Sequence, residues 1–234
     1  MAGNRAYGSG AARLVERDIA EVAAYWGRRK LGWLDRASEE FDALVMPYTF
    51  HVMDVTGQDI QAVNGYFTEW FLFERPLHDG KTPLELYIDQ KPGGADAERL
   101  RRLQQVRETQ FFARFAIEEK IPSAHIAQLC DVQTGRRYEV FDPVVCSQGR
   151  WRDGTISQRI ACVDGMWQVV GQARLYDKAS PGSVGADGPG AVHPEDAGRD
   201  PSTADMGLYL RLLRDVIGIY GRYAPTFRLR TLAQ

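Results

Sequence analysis

The chain has 234 residues, a formal net charge of -2 and a pI near 6.1, with 44% hydrophobic and 26% charged residues. That balance excludes a wholly disordered chain and a collagen-like one, and the near-neutral charge excludes a uniformly basic polyanion binder. Three Cys, an odd and sparse count, argue against a disulfide-stapled secreted scaffold and fit a reducing cytoplasm.

Residues 1–10 read as a loose Gly/Ser leader without the apolar core of a signal peptide. A helix is predicted from Ala11, because Val15, Ile19, Val22 and Trp26 share one face. Arg28, Arg29 and Lys30 suit the negative end of its dipole. A second helix is predicted from about Ser38 to Pro47, with Phe41, Leu44 and Val45 as its apolar face. Thr56 and Asp59 form a variant capping box for a third. That helix carries two adjacent stripes, Ile60, Val63, Phe67 and Phe71 beside Tyr66, Trp70 and Phe73, which places it at the centre of a helical core. After a turn at Asp79-Gly80, Thr82-Pro83-Leu84-Glu85 supplies an N-cap, a Pro at the first helical position and a capping-box Glu. A long amphipathic helix is predicted from Asp96 to about Glu119, anchored by Leu100, Leu103, Phe111 and Phe115.

The pattern changes at Ile121-Pro122. From Ala124 to Tyr176 about five short strands are predicted, with Asp164-Gly165 as a hairpin turn between two β-rich runs. A sheet this small must curl into a barrel or lean on helices. In residues 178–202, twelve of 25 are Gly, Pro or Ser, the composition of a flexible linker. A C-terminal helix follows, with Met206, Tyr209, Leu213, Val216 and Tyr220 on one face and Leu208, Leu212 and Ile219 widening it. The predicted fold class is therefore α+β: a helical domain at 11–120, a small antiparallel barrel-like sheet at 121–177, a linker at 178–202 and a helix at 203–224. No charge-free run of about 18 apolar residues occurs, so no membrane span is expected.

Chemistry-bearing motifs are few. Cys130, Cys146 and Cys162 lack the close pair spacing of zinc sites and read as small core residues, so no metal is expected. His51, His78, His125 and His193 are scattered, and Glu69, Glu74, Asp79 and Glu85 flank one aromatic turn. No nucleophile elbow, phosphate loop or dinucleotide fingerprint is present, and no cofactor is expected. The candidate binding surface is aromatic and basic, drawn from Tyr138, Trp151, Arg136, Arg150, Arg152 and Arg159 of the β domain. Acids among these residues leave 121–176 near neutrality. Leu208, Leu212 and Ile219 mark a candidate interface helix that docks either on its own chain or on a partner.

The run Phe67-Thr-Glu-Trp70-Phe-Leu-Phe73-Glu-Arg-Pro-Leu77-His-Asp-Gly80-Lys-Thr82-Pro-Leu84-Glu-Leu-Tyr87, with Asp131-Val-Gln-Thr134-Gly135-Arg-Arg-Tyr138-Glu-Val140 further on, resembles a segment of uncharacterised bacterial proteins. In these, a helical region is followed by a long helix and a small β segment, and some of them end in a Cys-rich zinc motif called SEC-C. The resemblance covers about residues 40–176 and implies the helical-plus-β organisation, without an activity or site residues to carry over. No Cys follows Cys162, so the zinc motif and its partner binding are not implied. The expected function is a non-enzymatic intracellular binding or adaptor module. The alternatives are a nucleic-acid-binding accessory protein using the β domain and a hydrolase or transferase with an unrecognised site.

Overall fold

A computed structural model of the chain describes residues 2–29, 33–52, 54–93, 96–192 and 206–223. In chain order its elements are α1 (Ala2–Arg28), α2 (Trp33–Val45), α3 (Tyr48–His51), α4 (Gly57–Phe73), α5 (Pro83–Gln90), α6 (Ala97–Thr109), β1 (Phe111–Ile121), β2 (Ile126–Asp131), β3 (Arg137–Phe141), α7 (Pro143–Ser147), β4 (Thr155–Val163), β5 (Met166–Asp177), α8 (Pro181–Asp187) and α9 (Leu208–Ile217). The fold is α+β, with a closed but uneven five-stranded sheet and a C-terminal helix. Two compact units divide it: Met1–Lys30 with Phe71–Pro181, and Leu31–Trp70 with Gly182–Gln234.

In the first unit, α1 buries Val15, Ile19, Val22 and Trp26, the face its spacing predicts. It starts at Ala2 rather than Ala11, because the early glycines lower helix propensity without forbidding it. The Trp26 indole N–H donates to the Pro83 carbonyl at 2.9 Å, tying α1 to the start of α5. That start is the predicted capping box. Thr82 N–H donates to Glu85 Oε2 at 2.8 Å, and Glu85 N–H donates to Thr82 Oγ1 at 3.4 Å. Thr82→Ala is expected to cost about 1 kcal/mol in urea unfolding, and no measurable loss would mean solvent satisfies these donors equally well.

The helix predicted over 96–119 ends at Thr109, and β1 begins at Phe111. Phe111 and Phe115 lie four residues apart, a spacing that shares a face in a helix and in a strand alike. Ala113 and Ile117 join them inside the barrel while Phe112 lies on the other side, which is strand alternation. The sheet runs β1-β2-β3-β5-β4 and closes through β1 and β4. All its pairs are antiparallel except β3 with β5. This is a five-stranded Greek-key barrel of the OB-fold kind. The predicted hairpin joins β4 to β5, with Asp164 at φ 52° and Gly165 at φ 77°, the two positive values a type I′ turn requires.

The barrel interior packs Phe115, Leu129, Val140, Ile156 and Ile160. Asp142 caps α7 by accepting from Val145 N–H at 3.0 Å, and Pro143 takes the first helical position. Val145 and Cys146 of α7 close the core at that end. Helix α6 packs along β4 and α1 packs on β5.

In the second unit, α2 begins at Trp33, earlier than predicted, and ends before Pro47 as expected. Phe41 packs against Phe67 and Trp70 of α4, with ring centroids 5.5 and 5.3 Å away. Helix α9 packs on α2, and Tyr209 OH donates to the Tyr66 carbonyl at 2.9 Å. The interface-helix candidates therefore sit within the chain's own second unit: Leu212 is buried, while Leu208 and Ile219 are half-buried. Leu208 and Leu212 pack around Gly190, where an added Cβ would lie 3.0 Å from the Leu212 Cβ. The predicted linker is helical over Pro181–Asp187, with Val184 buried, because that side chain gives the short helix something to bury. The rest of the linker from His193, and the start of the C-terminal helix at 203–205, lie outside the described residues.

Candidate binding surface

The six residues drawn from the β domain do not form one surface. Tyr138 faces into the barrel, 4.9 Å from Trp167 and 5.5 Å from Phe111 by ring centroids. Exposed Arg136 lays its guanidinium carbon 5.3 Å from the Tyr138 centroid. Arg159 is buried on the outer side of β4, where it pairs with Glu74, donates to Gln110 Oε1 at 2.5 Å and lies 5.0 Å from the Phe73 ring. Its alternation with Ile160 signals the opposite face, but the carboxylate that neutralises it is 85 residues away in sequence. Tyr138 and Arg159 thus belong to the structural core of the unit.

In barrels of this kind, strands 2 and 3 and the β1–β2 and β4–β5 loops carry oligonucleotide ligands. Here the outer side of β2 and β3 is charged and committed. Arg137 holds Glu118 through its Nε at 2.8 and 3.1 Å, and Gln128 donates to Glu139 at 2.8 Å. The hydrogen bond from Arg137 pulls the Glu118 carboxyl below its ordinary value. The β4–β5 turn is likewise engaged. Arg101 pairs with both Asp164 oxygens, and Asp164 N–H donates to Gln105 Oε1 at 2.7 Å. The Arg101 bond first, and then a bond from Gln105 Nε2 to Oδ1 at 3.3 Å, lower the Asp164 pKa despite partial burial. This face offers no base-stacking ring.

The other end of the barrel, beside α7, is different. The ladder between β3 and β5 holds two residue pairs, Val140 with Trp167 and Phe141 with Gln168. β3 stops there because Asp142-Pro143 turns the chain into α7. β5 runs on to Asp177, pairing with β4 alone. The segment 148–154 lies against this extension. Trp151 stacks on Tyr176 with centroids 5.3 Å apart and planes 14° from parallel. Tyr176 OH donates to the Asp153 carbonyl at 2.6 Å, and burial raises the phenol's pKa. Ile117 N–H donates to the Gly154 carbonyl at 3.1 Å, and Lys120 Nζ to the Gln148 carbonyl at 2.7 Å. Gly154 has φ 91°, and a Cβ there would lie 2.2 Å from the Asp177 carbonyl oxygen, so this position demands glycine. The segment is pinned along its length. Arg150 and Arg152 are exposed on it, and Lys178 is exposed just past β5.

Of the candidate residues, the fold therefore brings Trp151, Arg150 and Arg152 together, and adds Tyr176, Arg174 and Gln158. The first three are adjacent in sequence. Tyr176 and Arg174 alternate on one strand face, but the bulge in β5 hides from sequence which face that is. Three of the four carboxylates around the aromatic turn have structural employment. Glu85 caps α5, Glu74 holds Arg159, and Asp79 occupies a positive-φ turn position. His51 lies 2.7 Å from Asp42, and the His125 ring meets Phe141 edge-on. His193 lies outside the described residues. Cys130, Cys146 and Cys162 are unpaired thiols on β2, α7 and β4, and burial raises the Cys146 pKa. Among the described residues, no three His, Cys, Asp or Glu side chains converge, and no helix is long and apolar enough to cross a membrane. No protein-family model, curated protein or solved structure matches this chain.

Proposed function

We propose that the chain is a non-enzymatic intracellular binding module whose ligand contacts the pinned segment 148–154 at the α7 end of the barrel. The carrying observation is a pinned segment that exposes Arg150 and Arg152 on either side of half-buried Trp151, while buried Asp18 and Arg159 of the same unit are paired with Arg102 and Glu74. Among the described residues, a cleft of the second unit is lined by Leu44, Met46, Met206, Arg214 and Tyr220, with no carboxylate or imidazole on its wall, which supports binding over catalysis. Three unpaired thiols support a reducing compartment. The test is capture by the full chain from native extract, in nuclease-treated and untreated halves. Retained material is expected to drop sharply with Arg150→Glu combined with Arg152→Glu. Equal retention by that variant, with its melting unchanged, removes the segment from the binding surface.

A further inference from the structure

We propose that the seam where β5 parts from β3 binds the phosphate of a nucleotide, with Arg174 and Gln158 as its polar floor and Trp151 as its stacking platform. The inference rests on the binding-module reading and names its ligand class.

Gln158 carries the argument. It lies between Ile156 and Ile160, which both pack in the barrel, and its register partner on β1 is Ala113, also in that core. Strand alternation therefore aims Gln158 inward. Its residue is 0% exposed, and neither Nε2 nor Oε1 has a hydrogen-bond partner. On β5 the residue opposite is Arg174. The register is unbroken from Arg174 to Tyr176, so the two share a face, and Tyr176 packs on the barrel core. Arg174 Nε is buried and unpartnered, and among the described residues nothing bonds or pairs with its guanidinium.

Burying an amide and a guanidinium Nε–H without partners is costly, and folded chains rarely do it without cause. Together the two side chains offer amide and guanidinium N–H donors that no acceptor of the chain meets, which suits a phosphate, and Gln158 Oε1 is left to accept from a hydroxyl or N–H of the same ligand. The surroundings fit the rest of a nucleotide. Trp151 stacks on Tyr176, packs against the barrel core and stays partly in solvent, and a base can stack on the part left exposed. Arg150, Arg152, Arg174 and Lys178 outnumber Asp153 and Asp177 along the two segments that meet here. A free mononucleotide and a unit of single-stranded nucleic acid share this chemistry.

The probes are 5′-AMP, a 12-nucleotide single-stranded DNA and inorganic phosphate, each titrated calorimetrically into the full chain. AMP or the oligonucleotide is expected to bind at least tenfold tighter than phosphate. Tighter oligonucleotide binding with steep salt dependence identifies the strand as the source, and equal binding of AMP identifies the free nucleotide. Arg174→Gln and Gln158→Leu are each expected to weaken binding at least tenfold. Gln158→Leu removes an unpartnered amide, so it is expected to melt no lower than the natural chain, and lost binding then reflects the site. Gln168→Leu is the control. That side chain is equally buried and unpartnered, but lies on the opposite face of β5 from Trp167 and Val169, and binding is expected to persist. Absence of nucleotide binding at millimolar concentration, affinity no better than for phosphate, or full binding by both site variants overturns the proposal. Nuclease-resistant capture that still depends on Arg150 and Arg152, without nucleotide binding, overturns it while leaving the binding-module reading intact.

Discussion

Asp18→Asn is expected to lower the stability of the chain by about 3 kcal/mol or more, as removing one partner of a buried ion pair does. Asp18 is 0% exposed on α1. Its carboxylate receives Arg102 Nε at 2.6 Å and Arg99 Nε at 3.3 Å, both from α6. The Asn side chain keeps the shape and loses the charge, so two guanidiniums then lack their counterion. The Arg102 side chain is 10% exposed and cannot turn to water without leaving its packing. Adding Arg102→Met should return part of the loss, since an apolar side chain there needs no counterion. Urea unfolding of the single and double variants measures both. A loss below about 1 kcal/mol for Asp18→Asn would show that water reaches the pair and that α1 and α6 are held by apolar contacts alone.

That ion pair also shows what the sequence makes legible. Asp18 stands inside the Val15, Ile19, Val22 stripe, and a carboxylate on an apolar face requires a partner. Arg99 and Arg102 share a face of α6 by their spacing of three. The pairing itself spans 84 residues and has no local signal. The same division holds elsewhere. Local chemistry fixed the caps at Thr56 and Thr82 and the Asp164-Gly165 turn, because each is decided within four residues. The boundary between α6 and β1 was hidden by Phe111 and Phe115, whose spacing fits both periods. For the candidate surface, adjacency in sequence exposed Arg150, Trp151 and Arg152. Gln158 and Arg174 gave no such signal, because their orientation depends on where the β3–β5 ladder stops and where β5 bulges.

Phe71→Ala is expected to cost about 3–5 kcal/mol, the transfer loss of the ring plus the cavity it leaves. Burial deepens along α4 toward its C-terminal end. Trp70, Phe71, Leu72 and Phe73 are 3%, 4%, 1% and 6% exposed. Consecutive helical residues point about 100° apart, so four buried in a row mean that the helix is covered on every side at its C-terminal end. Its N-terminal end is open, with Ile60 43% exposed although that residue belongs to the same predicted stripe as Val63 and Phe71. The helix thus enters the core as it advances, which a stripe drawn at constant period does not show. Ile60→Ala is the internal control and is expected to change stability by no more than about 0.5 kcal/mol, apart from the small propensity gain of Ala. The two variants compared by urea unfolding separate depth from composition. Equal losses at both positions would mean that α4 is uniformly embedded, and a loss at Phe71 below about 1 kcal/mol would remove this helix from the core altogether.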